Sequence, residues 1–373
     1  MMRLAVATFF IALSPLATVL RAQTPVPPAK PPSTDTTPAI VVPAVPVLTP
    51  PVSDTAQNFP VVNECNAAPA AWIFCDDFES NRLARYFEYV PRDSSFERAD
   101  SVGVLGSVGM RVRFRKGQVD AGSLKIAIGK TPTPSMHPVD SGTAKYRDIY
   151  WRVYVRNDSS WTGGGGDKLS RAQVLATPNW AQAMGAPVWS GGGGKLPGSN
   201  YLTIDPYSGT DAAGKLQTTT YNDFPRLRWL GAVRGMTPIF DSTHVGKWYC
   251  VEAHVRLNDP GQSNGVFELW IDDYIEAHNA NLNWVGDFTD YGINTVFLEN
   301  YWNAGSPVEQ QRYLDNFVVS KQRIGCGRLI PAPHPEAVPA DTTGMTDPAF
   351  AYQTTLYQVA PSLSAATRHR LRR

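Results

Sequence analysis

Residues 246–273 constrain the fold more than any other stretch of this chain. Val251, Ala253, Val255 and Leu257 alternate with Cys250, Glu252, His254 and Arg256. Alternation at period two marks a strand with one buried face. Residues 258–265 are turn chemistry throughout, and after them Phe267, Leu269 and Ile271 alternate with Glu268, Trp270 and Asp272. The pattern predicts a β-hairpin whose apolar sets share one face. The register chosen on that basis sets Leu257 against Phe267, Val255 against Leu269 and Ala253 against Ile271. The polar face then pairs Arg256 with Glu268, His254 with Trp270 and Glu252 with Asp272. An acid, a base, a cation and an aromatic platform on one face describe either a working surface or a solvated one with a cross-strand ion pair.

Further strands are predicted at 110–115, 123–128, 148–156, 172–175, 201–205, 294–301 and 313–320. No long amphipathic helix and no βαβ rhythm interrupts them, so the fold class is all-β, an antiparallel sandwich of two sheets. Two of these strands are as two-faced as the hairpin. Met110, Val112 and Phe114 alternate with Arg111, Arg113 and Arg115; Ile149, Trp151, Val153 and Val155 alternate with Tyr150, Arg152, Tyr154 and Arg156. Placed beside the hairpin, they make a concave polar groove rich in Arg, Tyr, His and Trp, suited to an anionic sugar chain.

The ends are of different character. Arg3, the apolar run 4–20 and Arg21-Ala22-Gln23 read as a secretory signal peptide at 1–22. Residues 23–60 form a Pro-rich linker, 61–327 the folded domain, and 328–373 a Pro/Ala-rich tail with a basic end. Nothing after the signal is long and apolar enough to span a bilayer. A net charge of +1 argues against nucleic acid as partner. Four cysteines in an exported chain suggest two disulfides. Of three connectivities, proximity and strand position favour Cys65–Cys75 and Cys250–Cys326. The expected location is secreted or periplasmic, and the expected state is a monomer.

Residues 261–273, 150–156, 313–320 and Cys75-Asp76-Asp77-Phe78-Glu79 resemble concanavalin A-like jelly rolls, a group that includes laminin-G-like modules and secreted lyases of alginate, glucuronan or heparin-like chains. The resemblance implies a jelly roll handling a polysaccharide, and the Arg-rich strands make an acidic one the expected partner. Cleavage by β-elimination would use Gln182 and an Arg (Arg113 or Arg152) on the uronate, with His254 or Tyr301 as base. Arg256, Glu268, Trp270, Glu299, Trp302 and Asn303 would contact substrate. The Gln-x-His pattern of alginate lyases is not reproduced, since Ala183 and Met184 follow Gln182, and no Lys occupies their final-strand Tyr-x-Lys-x-Gly-x-Tyr pattern. Two alternatives stand beside the lyase. One is a lectin-like module on the Pro-rich tether, stacking sugars on Trp270, Tyr301 and Trp302. The other is a glycoside hydrolase using Glu252, Asp272 and Glu268. The resemblance also implies a structural calcium held by Asp77, Glu79 and Asp315, and no organic cofactor. The Gly-rich runs 163–166 and 191–194 lack the strand–loop–helix setting of a phosphate loop and read as loops bordering a groove, with 167–171 and 221–224 beside it.

Overall fold

Period-two patterning is realised as seventeen strands among the described residues, joined by turns and short 3-10 segments. The computed structural model describes residues 60–164, 166–191 and 200–327. The expected signal peptide, the linker up to residue 59, the tail from 328 and most of the second Gly-rich run lie outside them. The strands are β1 (Trp72–Asp76), β2 (Glu88–Val90), β3 (Phe96–Ala99), β4 (Gly109–Phe114), β5 (Asp120–Ala127), β6 (Asp148–Asn157), β7 (Lys168–Leu175), β8 (Gln182–Trp189) and β9 (Thr203–Ile204). They continue with β10 (Tyr207–Ser208), β11 (Arg228–Trp229), β12 (Val233–Arg234), β13 (Tyr249–Arg256), β14 (Gly265–Ile271), β15 (Tyr274–Leu282), β16 (Thr295–Tyr301) and β17 (Gln310–Ser320).

They form two antiparallel sheets packed as a jelly-roll sandwich. The first runs β15-β14-β13-β6-β17-β4-β3, with β1 added on β17; the second runs β11-β10-β8-β7-β16-β5-β2, with β9 also on β8 and β12 on β9. The inward faces supply one large core, including Phe114, Ile126, Trp151, Val153, Val174, Val255, Phe267, Leu269, Val296, Leu298 and Phe317, all fully buried or nearly so. Burying such side chains stabilises by roughly 1.5–3 kcal/mol each.

The hairpin exists, and its faces are those the alternation predicts. Its register is two residues away from the expected one: His254 pairs with Glu268, Glu252 with Trp270, Val255 with Phe267 and Ala253 with Leu269. A slip of two keeps every side chain on its face, so patterning alone cannot choose between the registers. The expected neighbourhood is also present, since β6 lies beside β13 with Tyr150 opposite His254 and Arg152 opposite Glu252. Strand β8 was missed at the sequence level because Gly185 and Pro187 sit in its interior and both argue against a strand. Gly185 has a specific reason: a Cβ there would stand 2.1 Å from Cζ of Tyr207, whose ring crosses β8 at that point.

Candidate functional site

The polar face of the first sheet is strapped over. An N-terminal segment ending at Cys65 and a C-terminal segment around residues 323–327 lie across β6, β13 and β17. Asn316 Nδ2 donates to the Val61 carbonyl (2.7 Å), and the Gly327 amide donates to Tyr154 Oη (2.9 Å). Arg152, fully buried, forms an ion pair with fully buried Glu64 and donates to the Gly325 carbonyl (3.0 Å). Burial pushes the Glu64 carboxyl up to about 7, although Arg152 and Asn316 pull it down. Glu252 accepts the amides of Ile324 (2.7 Å) and Gly325 (2.9 Å). Disulfides Cys65–Cys75 and Cys250–Cys326 fasten the two segments to β1 and β13, in the expected pairing. Such cross-links persist in oxidising compartments. Among the described residues no helix is long and apolar enough to cross a membrane.

At the uncovered end of this face His254 is clasped by two carboxylates. Its Nδ1 lies 2.7 Å from Glu268 Oε2 and its Nε2 2.8 Å from Asp148 Oδ1, while Tyr150 stacks on the ring at 4.0 Å. Burial pulls the imidazole down, and the two carboxylates more than reverse this, so its pKa lies above the ordinary value. A ring with both nitrogens held by acids has no free lone pair for substrate; here His254 ties three strands together.

The second sheet is open. Its outward face carries a cleft of about 240 Å³ lined by Lys125, Lys168, Arg171, Tyr221, Glu299 and Tyr301, with Asn222, Asn303 and Phe224 at the rim. Adjacent strands build it rung by rung. Lys125 on β5, Phe297 on β16 and Arg171 on β7 share one rung. Both cations flank the Phe297 ring, at 5.3 Å for Lys125 and 6.0 Å for Arg171. Lys125 is paired with Glu88 (2.7 Å). Arg171 donates to Glu299 (2.5 Å), Tyr221 Oη (2.5 Å), Tyr207 Oη (3.2 Å) and Asn222 Oδ1 (3.2 Å). Burial alone would lower the Arg171 pKa; Glu299 and the two phenols raise it well above its ordinary value, and the guanidinium stays charged. The same burial raises the Tyr221 and Tyr207 phenols.

One step along the groove, Lys168 Nζ sits 4.2 Å over the ring of Tyr301, which is 38% exposed. No hydrogen bond or ion pair engages Nζ among the described residues, unlike Lys125 and Arg171. Burial lowers the Lys168 pKa, with Glu299 and Asp120 opposing. An amine brought toward neutrality beside a phenol at the floor of an open cleft is equipped to move protons.

The expected site residues divide between the two faces. Tyr301, Glu299 and Asn303 meet in this cleft. Gln182 lies beneath it, fully buried: its Oε1 accepts the Asn222 amide (2.7 Å), and its Nε2 donates to Tyr207 Oη (2.6 Å) and to Gln173. It positions the wall and has no surface for a ligand. His254, Arg113, Arg152, Arg256, Glu268 and Trp270 belong to the other sheet, as does Glu252 of the hydrolase reading, while its Asp272 lies in the turn from β14 to β15 and accepts from Cys250 N. Arg256 donates to the Asn264 carbonyl (2.7 Å), and Trp270, 9% exposed, lies under Arg323. Trp302 is a core residue stacked on Trp161 at 5.6 Å. The alternation reading missed Lys168, Arg171 and Tyr221 as functional residues. The strand containing the first two starts four residues earlier than expected, and only the runs 167–171 and 221–224 beside a groove hinted at them.

The acids expected to hold calcium are engaged elsewhere. Asp77 accepts from Cys65 N (3.1 Å) and Arg82 (3.3 Å), Glu79 from Val108 N (3.2 Å), and Asp315 from Val104 N (2.7 Å), Ser107 (3.1 Å) and Asn316 N (2.8 Å). No group of three or more His, Cys, Asp or Glu side chains is arranged for a metal ion among the described residues.

No protein-family model matches the chain, and no curated protein does. Solved structures similar to it include an endo-β-1,4-glucuronan lyase from the fungus Trichoderma reesei (11% identity, 67% of this chain and 96% of that one, TM-score 0.46). Others are a PL-14 alginate lyase from Aplysia kurodai (12% identity, 67% and 99%, TM-score 0.43) and alginate lyase vAL-1 from a Chlorella virus (14% identity, 64% and 100%, TM-score 0.40). Identities this low, with TM-scores below 0.5, say nothing about the chemistry of the groove, which has to be read from its own side chains.

Proposed function

We propose that the open cleft binds an acidic polysaccharide and cleaves it by β-elimination, on a chain exported to the periplasm or beyond. The observation that carries the reading is the burial-weakened amine of Lys168, unpaired among the described residues, over the exposed ring of Tyr301. In the reaction Lys168 removes the proton on the carbon bearing the uronate carboxylate. The electron pair forms a carbon–carbon double bond, the neighbouring carbon–oxygen bond breaks, and the Tyr301 hydroxyl protonates the leaving oxygen. Lys125 and Arg171, on either side of Phe297, supply the positive field that draws the carboxylate in and stabilises charge as the proton leaves. Glu299 keeps Arg171 aligned, and the exposed Asn303 amide orients hydroxyls. Export is supported by the apolar run 4–20 and by the two disulfides.

Incubating the purified protein with alginate, glucuronan, pectate and heparin-like chains, and following the ultraviolet absorbance of unsaturated ends, tests the reading. Activity on at least one is expected, falling by about 10²–10⁴-fold in Lys168→Ala with unchanged thermal unfolding. Silence across the whole panel overturns the lyase; retention of the protein on a chain it does not cut would make it a glycan-binding module.

A further inference from the structure

The cleft continues along the second sheet into an aromatic edge that the proposed chemistry does not use. From Arg171 the floor runs to Tyr207, whose hydroxyl accepts from that guanidinium and whose ring lies across Gly185. Tyr207 pairs in turn with Trp229 on β11, the edge strand, so both side chains share the groove face. Their rings meet edge to face at 5.3 Å and 70°. Tyr207 is 1% exposed, whereas Trp229 is 47% exposed and is the one exposed tryptophan among the described residues. Buried Tyr207 thus props an open indole at the level of the groove floor. Phe224, 52% exposed and lining the cleft, belongs to the same 221–229 segment as Tyr221, Asn222 and Trp229. That segment is pinned by Asp223, which accepts from Thr219 N (2.9 Å) and Arg226 (2.8 Å).

We propose that Trp229 is a stacking subsite for a sugar ring of the chain held in the cleft, beyond the residues at Lys168 and Tyr301. The apolar C–H face of a pyranose packs on an indole, and a flat, pre-oriented ring loses little rotamer freedom on binding. The occupant is fixed by continuity: a polysaccharide lying across β16, β7 and β8 passes over Tyr207 and leaves the sheet at Trp229. The subsite makes the protein prefer long chains over short ones. This rests on the acidic-polysaccharide reading of the same groove.

The test compares Lys168→Ala with Lys168→Ala/Trp229→Ala for retardation in gels containing each polysaccharide, so that binding is read without cleavage. In parallel, the ratio of kcat/KM on polymer to that on a trisaccharide is measured for wild type, Trp229→Ala and Trp229→Phe. Expected are weaker retardation in the double variant and about a ten-fold fall in the ratio for Trp229→Ala, with Trp229→Phe in between. Equal retardation of the two variants, or an unchanged ratio, overturns the subsite and leaves the lyase standing. Retardation that depends on Trp229 in a protein that cuts nothing supports the subsite and sinks only the lyase. No retardation of any of these proteins, together with no cleavage of any polysaccharide of the panel, overturns both.

Discussion

The two sheets carry polar faces of similar composition and opposite fate. On the first, Arg152 and Glu252 lie fully or almost fully out of water beneath the strapping segments, one of which brings in Glu64, equally buried, to pair with Arg152. On the second, Arg171 and Glu299 are also nearly buried, yet Lys168 and Tyr301 beside them open onto a cleft. Both faces show charged and aromatic residues at alternate positions. The difference is what lies above: two disulfide-anchored segments in one case, solvent in the other. A buried ion pair is costly to break and out of a ligand's reach, whereas a cation that no described residue pairs, beside open space, is available to a ligand.

The contrast predicts separable losses. Arg152→Met leaves the buried Glu64 carboxyl without its cation, so that it takes up a proton at neutral pH, and the broken pair is expected to cost about 3–5 kcal/mol in denaturant unfolding. Groove activity per folded molecule should be unaffected. A matching loss of kcat in the folded fraction would break the comparison. Tyr301→Phe is the reverse case: it keeps the ring under Lys168 and removes only the hydroxyl. A fall of about 10²-fold in kcat is expected from the loss of one positioned proton donor, with the unfolding midpoint unmoved.

The smallest effect concerns the His254 clasp. Its pKa is raised above the ordinary 6.5, so its contribution is complete below about 6.5 and is lost as pH rises through the folded value. The Glu268 carboxyl is pushed up by burial and pulled lower still by His254 and His278. Its contribution is therefore present above the ordinary carboxylate range and lost on acidification. The clasp is tightest between the two, and His254→Gln should flatten the fall in stability from pH 6 to 8 by about 1 kcal/mol or less, since Asp148 is half exposed. Urea melts at several pH values check this; an unchanged slope would mean that the clasp contributes nothing.

Much of the fold was legible. Val251, Val255, Phe267 and Leu269 had to face a core because water penalises their exposure, and the cysteines paired as position in the chain suggested. Strand β8 was not legible, because Gly185 and Pro187 look like breakers until Tyr207 is seen crossing above them. The site was legible only in part. Tyr301, Glu299 and Asn303 were singled out, but His254 was placed with them although it lies on the other sheet.

Sequence by itself determined which side chains share a face, since the period of a strand is two and a slip of two leaves it intact. Tertiary structure decided the hairpin register, which of two polar faces is covered, and that Lys168 on β7 lies over Tyr301 on β16. Those outcomes depend on contacts between segments far apart in the chain, and alternation along one strand carries no information about what packs across it.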